Sequence, residues 1–174
     1  MHTPLTICYG SIVCALLLVG AGPAEAQVVE AGSDGPTGVP KGEWIDYAKV
    51  SFIVVVSTKR YRDAKKVAER ASKALKIPLD LRGLTPHPKA QLTHTEQRCE
   101  DWGYPCYFAR GRMDAGKYVS IERSDAYRGF KPGYFIVIVE TGHARRLDKE
   151  LERVRRVFAD AYQKFAWVYQ ACMN

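Results

Sequence analysis

One apolar run dominates the pattern of the chain: Val50–Val56, reading V-S-F-I-V-V-V. A near-continuous β-branched run predicts a strand covered on both faces or lying at the centre of a sheet. Eighty-three residues later Phe135–Val139 repeats Phe52–Val56 almost letter for letter. Each run leads through a polar turn into a helical pattern. In the first, Ala64, Val67, Ala68, Ala71 and Leu75 recur at spacings of three and four from Tyr61 to Lys76. Arg62, Lys65, Lys66, Glu69, Arg70 and Lys73 occupy the other side, and Pro78 stops the element. In the second, Leu147, Leu151, Val154, Phe158 and Ala161 predict an amphipathic helix from Arg145 to about Tyr162.

The stretches between are less regular. Leu79–Arg82 alternates like a short strand. Three prolines interrupt Leu84–Cys106, which has room for a short helix near Thr95–Asp101. Tyr107–Arg110 suits a brief strand and Asp114-Ala115-Gly116 a hairpin turn. Lys117–Arg123 then alternates, with Tyr118, Ser120 and Glu122 on one face and Val119 and Ile121 on the other. The aromatic tail Phe165–Cys172 fits a last strand, with continuation of the helix as the alternative. The predicted class is therefore α+β: duplicated β-α-β units in a ferredoxin-like antiparallel sheet, with two helices on one face and an insertion at about 84–116. The opposite sheet face is expected to be open or partly covered by that insertion.

Composition adds an address. Ile12–Gly20 is apolar and is followed by Ala24-Glu25-Ala26, the small-x-small pattern of a signal-peptidase site. Residues 1–26 are expected to be a cleaved signal, 27–43 a flexible leader, and 44–174 one domain, placed in the periplasm or secreted. No membrane span is expected after cleavage. A formal charge of +7 in an exported protein points to anionic envelope polymers, membrane surfaces or an acidic protein, and away from nucleic acid. Three cysteines follow the signal, Cys99, Cys106 and Cys172. An oxidising compartment favours one disulfide. Cys99–Cys106, bracketing a turn-rich segment, is the preferred pair, with Cys106–Cys172 the alternative.

F-I-V-V-V-S-T-K at 52–59, the helix from Tyr61 to Leu75 with Asp63-Ala64 near its start, Tyr134–Val139, and A-D-A-Y at 159–162 resemble the SPOR (sporulation-related repeat) domain family of bacterial envelope proteins. The similarity covers Lys49–Gln91 and Gly133–Cys172. It implies a duplicated β-α unit that binds peptidoglycan glycan strands lacking stem peptides across one sheet face. The first strand departs from the family in lacking its Gln and its Gly-Ser-Phe ending, and the middle insertion is long.

The chain has no serine-nucleophile motif, HExxH, phosphate loop or dinucleotide fingerprint, so a non-enzymatic binding domain without cofactor or metal is expected. Glu122 and Glu140 read as solvated strand-edge carboxylates, and His87, His94 and His143 as surface residues. The candidates for sugar contact are Ser57, Tyr118, Ser120, Tyr134, Trp167 and Tyr169, which combine flat apolar surface with polar tips. Trp102, Tyr104, Tyr127 and Phe130 form a second aromatic group. The alternative function is a small periplasmic inhibitor or immunity protein that binds an enzyme or effector through the 94–113 loop.

Overall fold

The computed structural model describes residues 45–112, 114, 116–143 and 145–170. The expected signal and leader, and the alternative pairing through Cys172, lie outside the described residues. Strand β1 (Tyr47–Thr58) leads into helix α1 (Tyr61–Leu75), then a small hairpin of β2 (Thr85–His87) and β3 (Gln91–Thr93). Strands β4 (Ser120–Arg123) and β5 (Phe135–His143), helix α2 (Asp148–Arg155) and strand β6 (Tyr162–Tyr169) complete the chain. The main sheet is antiparallel, in the order β4-β5-β1-β6. This is the split β-α-β arrangement, with β1 and β5 at its centre.

The near-continuous apolar character of β1 follows from that position, because each of its faces meets a separate core. Ile53 and Val55 join Ala64, Ala68, Ala71, Leu151, Val154 and Phe158 beneath the two helices. Val50, Phe52 and Val54 join Ile136, Ile138, Ala166, Val168 and the buried Tyr127 on the other side. Register shifts against β5 fall between Ile53 and Val54 and between Val54 and Val56. The three fully buried alanines of α1 leave no side chain to hold the helix off the sheet. The helix ends where Lys76 turns left-handed and its N–H donates to the Ser72 carbonyl, two residues before Pro78.

Four expectations need correction. Leu79–Arg82 is not a strand; Leu79 makes only an isolated bridge to Val119, and the second strand of the first unit is β4, beyond the insertion. The hairpin lies at 85–93 instead of at Asp114–Gly116. Tyr107–Arg110 is a loop. Helix α2 is shorter than its periodicity suggests: the Leu147 N–H is taken by the Gln163 side chain before the helix begins, and tight turns at 154–158 finish it. Leu147, Phe158 and Ala161 are nonetheless buried as predicted, because those turns keep them on the same side.

The insertion is fastened at both ends. Leu84 and Leu92 enter the helix-side core, while Ala109 packs against the opposite one. The Cys99–Cys106 disulfide closes its tip. It therefore covers part of the sheet face that lacks helices.

Candidate ligand-binding site

The covered half of that face is held by a buried polar network. Glu122, on β4, is 0% exposed. One of its carboxylate oxygens accepts from Arg82 at 2.9 Å, from the Tyr127 hydroxyl at 3.3 Å and from the Tyr107 hydroxyl. Arg82 also donates to the Phe108 carbonyl and pairs with Asp114 at 3.0 Å. Burial works against the Arg82 charge, but Glu122 and Asp114 outweigh it and raise its pKa. Burial is the main reason both tyrosines are held well above the usual phenol range, with Glu122 adding to it. Arg110 is equally buried, and burial depresses its pKa. Its guanidinium lies 3.6 Å from the centre of the Tyr118 ring and donates to Ser120, Ile138 and Gly116. Gly111 follows at φ +89°, with Val50 so close that a Cβ would stand 3.2 Å from it. The network staples the insertion to the sheet. Arg82, Glu122, Tyr107 and Tyr127 hold one another, while Arg110 is held by Ser120 and backbone carbonyls; Glu122 Oε1 and Arg110 Nε have no hydrogen-bond partner among the described residues.

Glu122 and Glu140 are thus not solvated. Glu140 is also buried, beside Arg153 at 3.8 Å, and burial followed by the charge of Glu150 raises its pKa. His94 is buried too, stacked on Phe108 with ring centres 5.1 Å apart. Alternation along a strand says which residues share a face, but an insertion distant in sequence decides whether that face meets water. His87 is half-buried and accepts from the Ala90 N–H, and His143 is exposed.

At the other end of the same face, the strands run out beyond the insertion. There Ser57, near the end of β1, and Tyr162, at the start of β6, join hydroxyls at 2.9 Å. Burial is the leading cause of a raised Tyr162 pKa, partly offset by that hydrogen bond. Tyr134, just before β5, is half-buried, and the ammonium groups of Lys59 and Lys131 lie 5.8 and 5.9 Å from its ring centre. Phe130 is half-buried with Lys164 above it at 5.3 Å. Three partly exposed rings, three hydroxyls and three lysines therefore share one small area. Flat apolar rings, donors and cations suit a polar, anionic ligand with exposed C–H faces.

Of the six residues singled out for sugar contact, only Ser57 and Tyr134 meet there. Tyr118 and Ser120 are tied to Arg110 in the covered half. Trp167 and Tyr169 sit on β6 beside Lys49 and Tyr47 of β1, on the helix-bearing face, with the Tyr47 and Tyr169 rings 5.3 Å apart. Three patch members, Tyr162, Phe130 and Lys131, had no sequence signal as a group, because only the β1–β6 pairing and the 124–134 loop bring them together.

A second exposed feature is the tip of the insertion. Trp102 and Tyr104 are 43% and 48% exposed within the loop closed by Cys99–Cys106. Tyr104 meets the His87 ring at 5.6 Å, and Trp102 meets Phe108 at 5.9 Å. Among the described residues no cluster of His, Cys, Asp and Glu is arranged to hold a metal ion. None of the described helices is long and apolar enough to cross a membrane.

The fold and this patch define an α+β domain with a half-covered sheet face. Comparison with protein-family models, curated proteins and solved structures finds no match to this chain.

Proposed function

We propose that this chain is a non-enzymatic binding domain of the cell envelope, and that it takes an anionic glycan, such as a peptidoglycan strand, on the open end of its sheet. One observation carries the reading: the convergence of Tyr134, Phe130 and the Ser57–Tyr162 hydroxyl pair with Lys59, Lys131 and Lys164. Rings of this kind stack on sugar faces, hydroxyls meet sugar hydroxyls, and lysines draw in carboxylates or phosphates. The resemblance to SPOR domains supports the same ligand class. The interlocked partners of Glu122, Tyr107 and Tyr127 favour a structural role for this cluster of titratable groups.

The test is co-sedimentation of the exported protein with purified sacculi, before and after amidase removal of stem peptides. Stripping is expected to strengthen binding. Tyr134→Ala is expected to weaken it about tenfold, the usual cost of losing an aromatic anchor, and Lys131→Ala to weaken it mainly at low salt. Equal pelleting of wild type and Tyr134→Ala, with both folded, would remove this site.

A second reading rests on the exposed Trp102 and Tyr104. They sit on a short covalently closed loop beside Glu96, Glu100 and Asp101, with Arg98 the one cation of the 95–104 stretch. Trp and Tyr dominate protein-interface anchors, so the loop suits an enzyme or effector with a cationic rim. Photo-crosslinking from position 102 in cells would support it by trapping one discrete protein that Tyr134→Ala still captures.

A further inference from the structure

The net charge of the protein is unevenly placed. Residues 60–76, which contain α1, carry seven cations against two carboxylates, and residues 145–160, which contain α2, carry six against four. The helix layer therefore holds a net +7 of the +10 carried by residues 44–174, leaving +3 for the rest of that domain. A generally basic surface would spread its excess. Here most of it lies in one layer, on the side of the sheet away from the glycan patch.

The two helices also differ in how their charges are used. Around α2, Arg145 pairs with Glu150, Arg146 with Asp148 and Arg153 with Glu140. On α1 the described residues give only Arg60 an ion-pair partner, Asp63. Arg62, Lys65, Lys66, Lys73 and Lys76 are exposed and meet no carboxylate among the described residues. They extend over about 21 Å of helix at 1.5 Å per residue.

A partly apolar groove interrupts this cationic layer. A groove of about 230 Å3 lies between α1 and the turn after α2, floored by Val55 and Val56 and walled by Val67, Arg70 and Val157–Asp160. Val157 is 45% exposed at its rim, directly after Arg155 and Arg156. Arg70 crosses the groove wall with its guanidinium 4.6 Å from the centre of the Phe158 ring.

We infer that the helix layer docks on a bilayer surface containing anionic phospholipid. A linear polyanion would satisfy the lysines but would have no use for an exposed valine beside a groove whose walls include Val67 and Phe158. A phospholipid brings a negative headgroup to the cations and hydrocarbon to Val157. A layer of two helices lying on a sheet also offers a broad face to a broad partner. Electrostatic attraction of juxtamembrane cations to anionic leaflets adds up residue by residue. In this arrangement the membrane holds the domain by one face and leaves the opposite sheet face and its glycan patch free.

The experiment is flotation of the exported protein with vesicles of phosphatidylcholine alone and of phosphatidylcholine mixed with phosphatidylglycerol, at low and high salt. The wild type is expected to float with the mixed vesicles only and to be released by salt. The triple variant Lys65→Glu/Lys66→Glu/Lys73→Glu is expected to lose binding by on the order of 100-fold. Val157→Ser is expected to reduce it severalfold. All four positions lie on the solvent side of the domain, and a far-UV spectrum checks that each variant folds. Any apolar segment retained at the N-terminus is common to wild type and variants, so their difference isolates the helix layer. Equal flotation of the triple variant and the wild type would overturn the proposal. So would indifference of the wild type to phosphatidylglycerol, or retention on polyphosphate beads by protein that ignores every vesicle.

Discussion

Replacing Arg82 with Met probes what keeps the insertion on the sheet. The guanidinium is 11% exposed and lies 2.9 Å from a carboxylate that is 0% exposed. Little solvent screening is therefore available to the pair. Removing one partner of a buried ion pair costs about 3–5 kcal/mol, because the other charge is left without compensation. The Phe108 carbonyl loses its donor at the same time, which adds about 1 kcal/mol. Glu122→Gln is milder, at about 1–2 kcal/mol, since Arg82 keeps Asp114 and the amide oxygen can still accept from Tyr107 and Tyr127. The double variant should be more stable than the sum of the single losses implies, by about 2 kcal/mol, as the orphaned charge is then gone. Urea unfolding followed by circular dichroism measures all four corners of the cycle. Domains of this size have about 5–15 kcal/mol in total, so the Arg82 variant should lose a large share of its stability. Strict additivity, or a loss below about 1 kcal/mol for Arg82→Met, would refute the stapling role of the pair.

Two further outcomes follow from the insertion. Burial, then the charges of Arg98 and Arg82, push the His94 pKa down to about 4, whereas an unfolded histidine titrates near 6.5. The unfolded chain therefore takes up a proton that the folded one refuses. Stability should fall as the pH drops through that interval, and His94→Phe should fall less between about pH 7 and pH 4.5 in urea titrations; parallel losses would rule His94 out. The second concerns the disulfide, whose partners are seven residues apart. Loop-closure entropy for so short a loop gives about 2.5 kcal/mol. Cys99→Ser/Cys106→Ser should lose roughly that in unfolding free energy while keeping its far-UV spectrum, and collapse of the sheet signal would contradict the separation of loop and sheet.

The legibility of the chain followed the range of the forces involved. The β-branched runs at 50–56 and 135–139 identified the two central strands, because residues covered on both faces leave a continuous apolar trace. The three-and-four spacing of Ala64, Ala68, Ala71 and Leu75 gave α1 almost to the residue. The aromatic alternation of the tail gave β6. The disulfide was also readable, since only six turn-rich residues separate its cysteines. Edge elements were harder. Leu79-Asp80-Leu81-Arg82 alternates as well as Ser120–Arg123 does, and only the latter finds β5 as a partner. The site was the least legible part. Glu122 belongs to a polar-looking strand face, and its burial comes from Arg82 and Tyr107, fifteen to forty residues away.

The edges of the sheet explain where recognition can occur. An uncovered edge strand invites pairing with another chain, and proteins usually blunt it. On the β4 side Val119 exchanges backbone hydrogen bonds with Pro78 and Asp80, so the segment leaving α1 seals the start of that edge. On the β6 side Arg128 does the same to Trp167, donating to its carbonyl and accepting its N–H. The rest of β6 carries Gln163 and Lys164, polar side chains that discourage strand addition. The long insertion and the 124–134 loop thus do two things at once: they close the edges, and they cover the sheet face only up to Tyr127. Beyond it the strands still project, and the loop that closes the β6 edge also supplies Phe130, Lys131 and Tyr134 to the face it leaves open. The proposed patch is in this sense a consequence of sealing the sheet, because the residues that block strand addition are continuous with those that carry its rings and lysines.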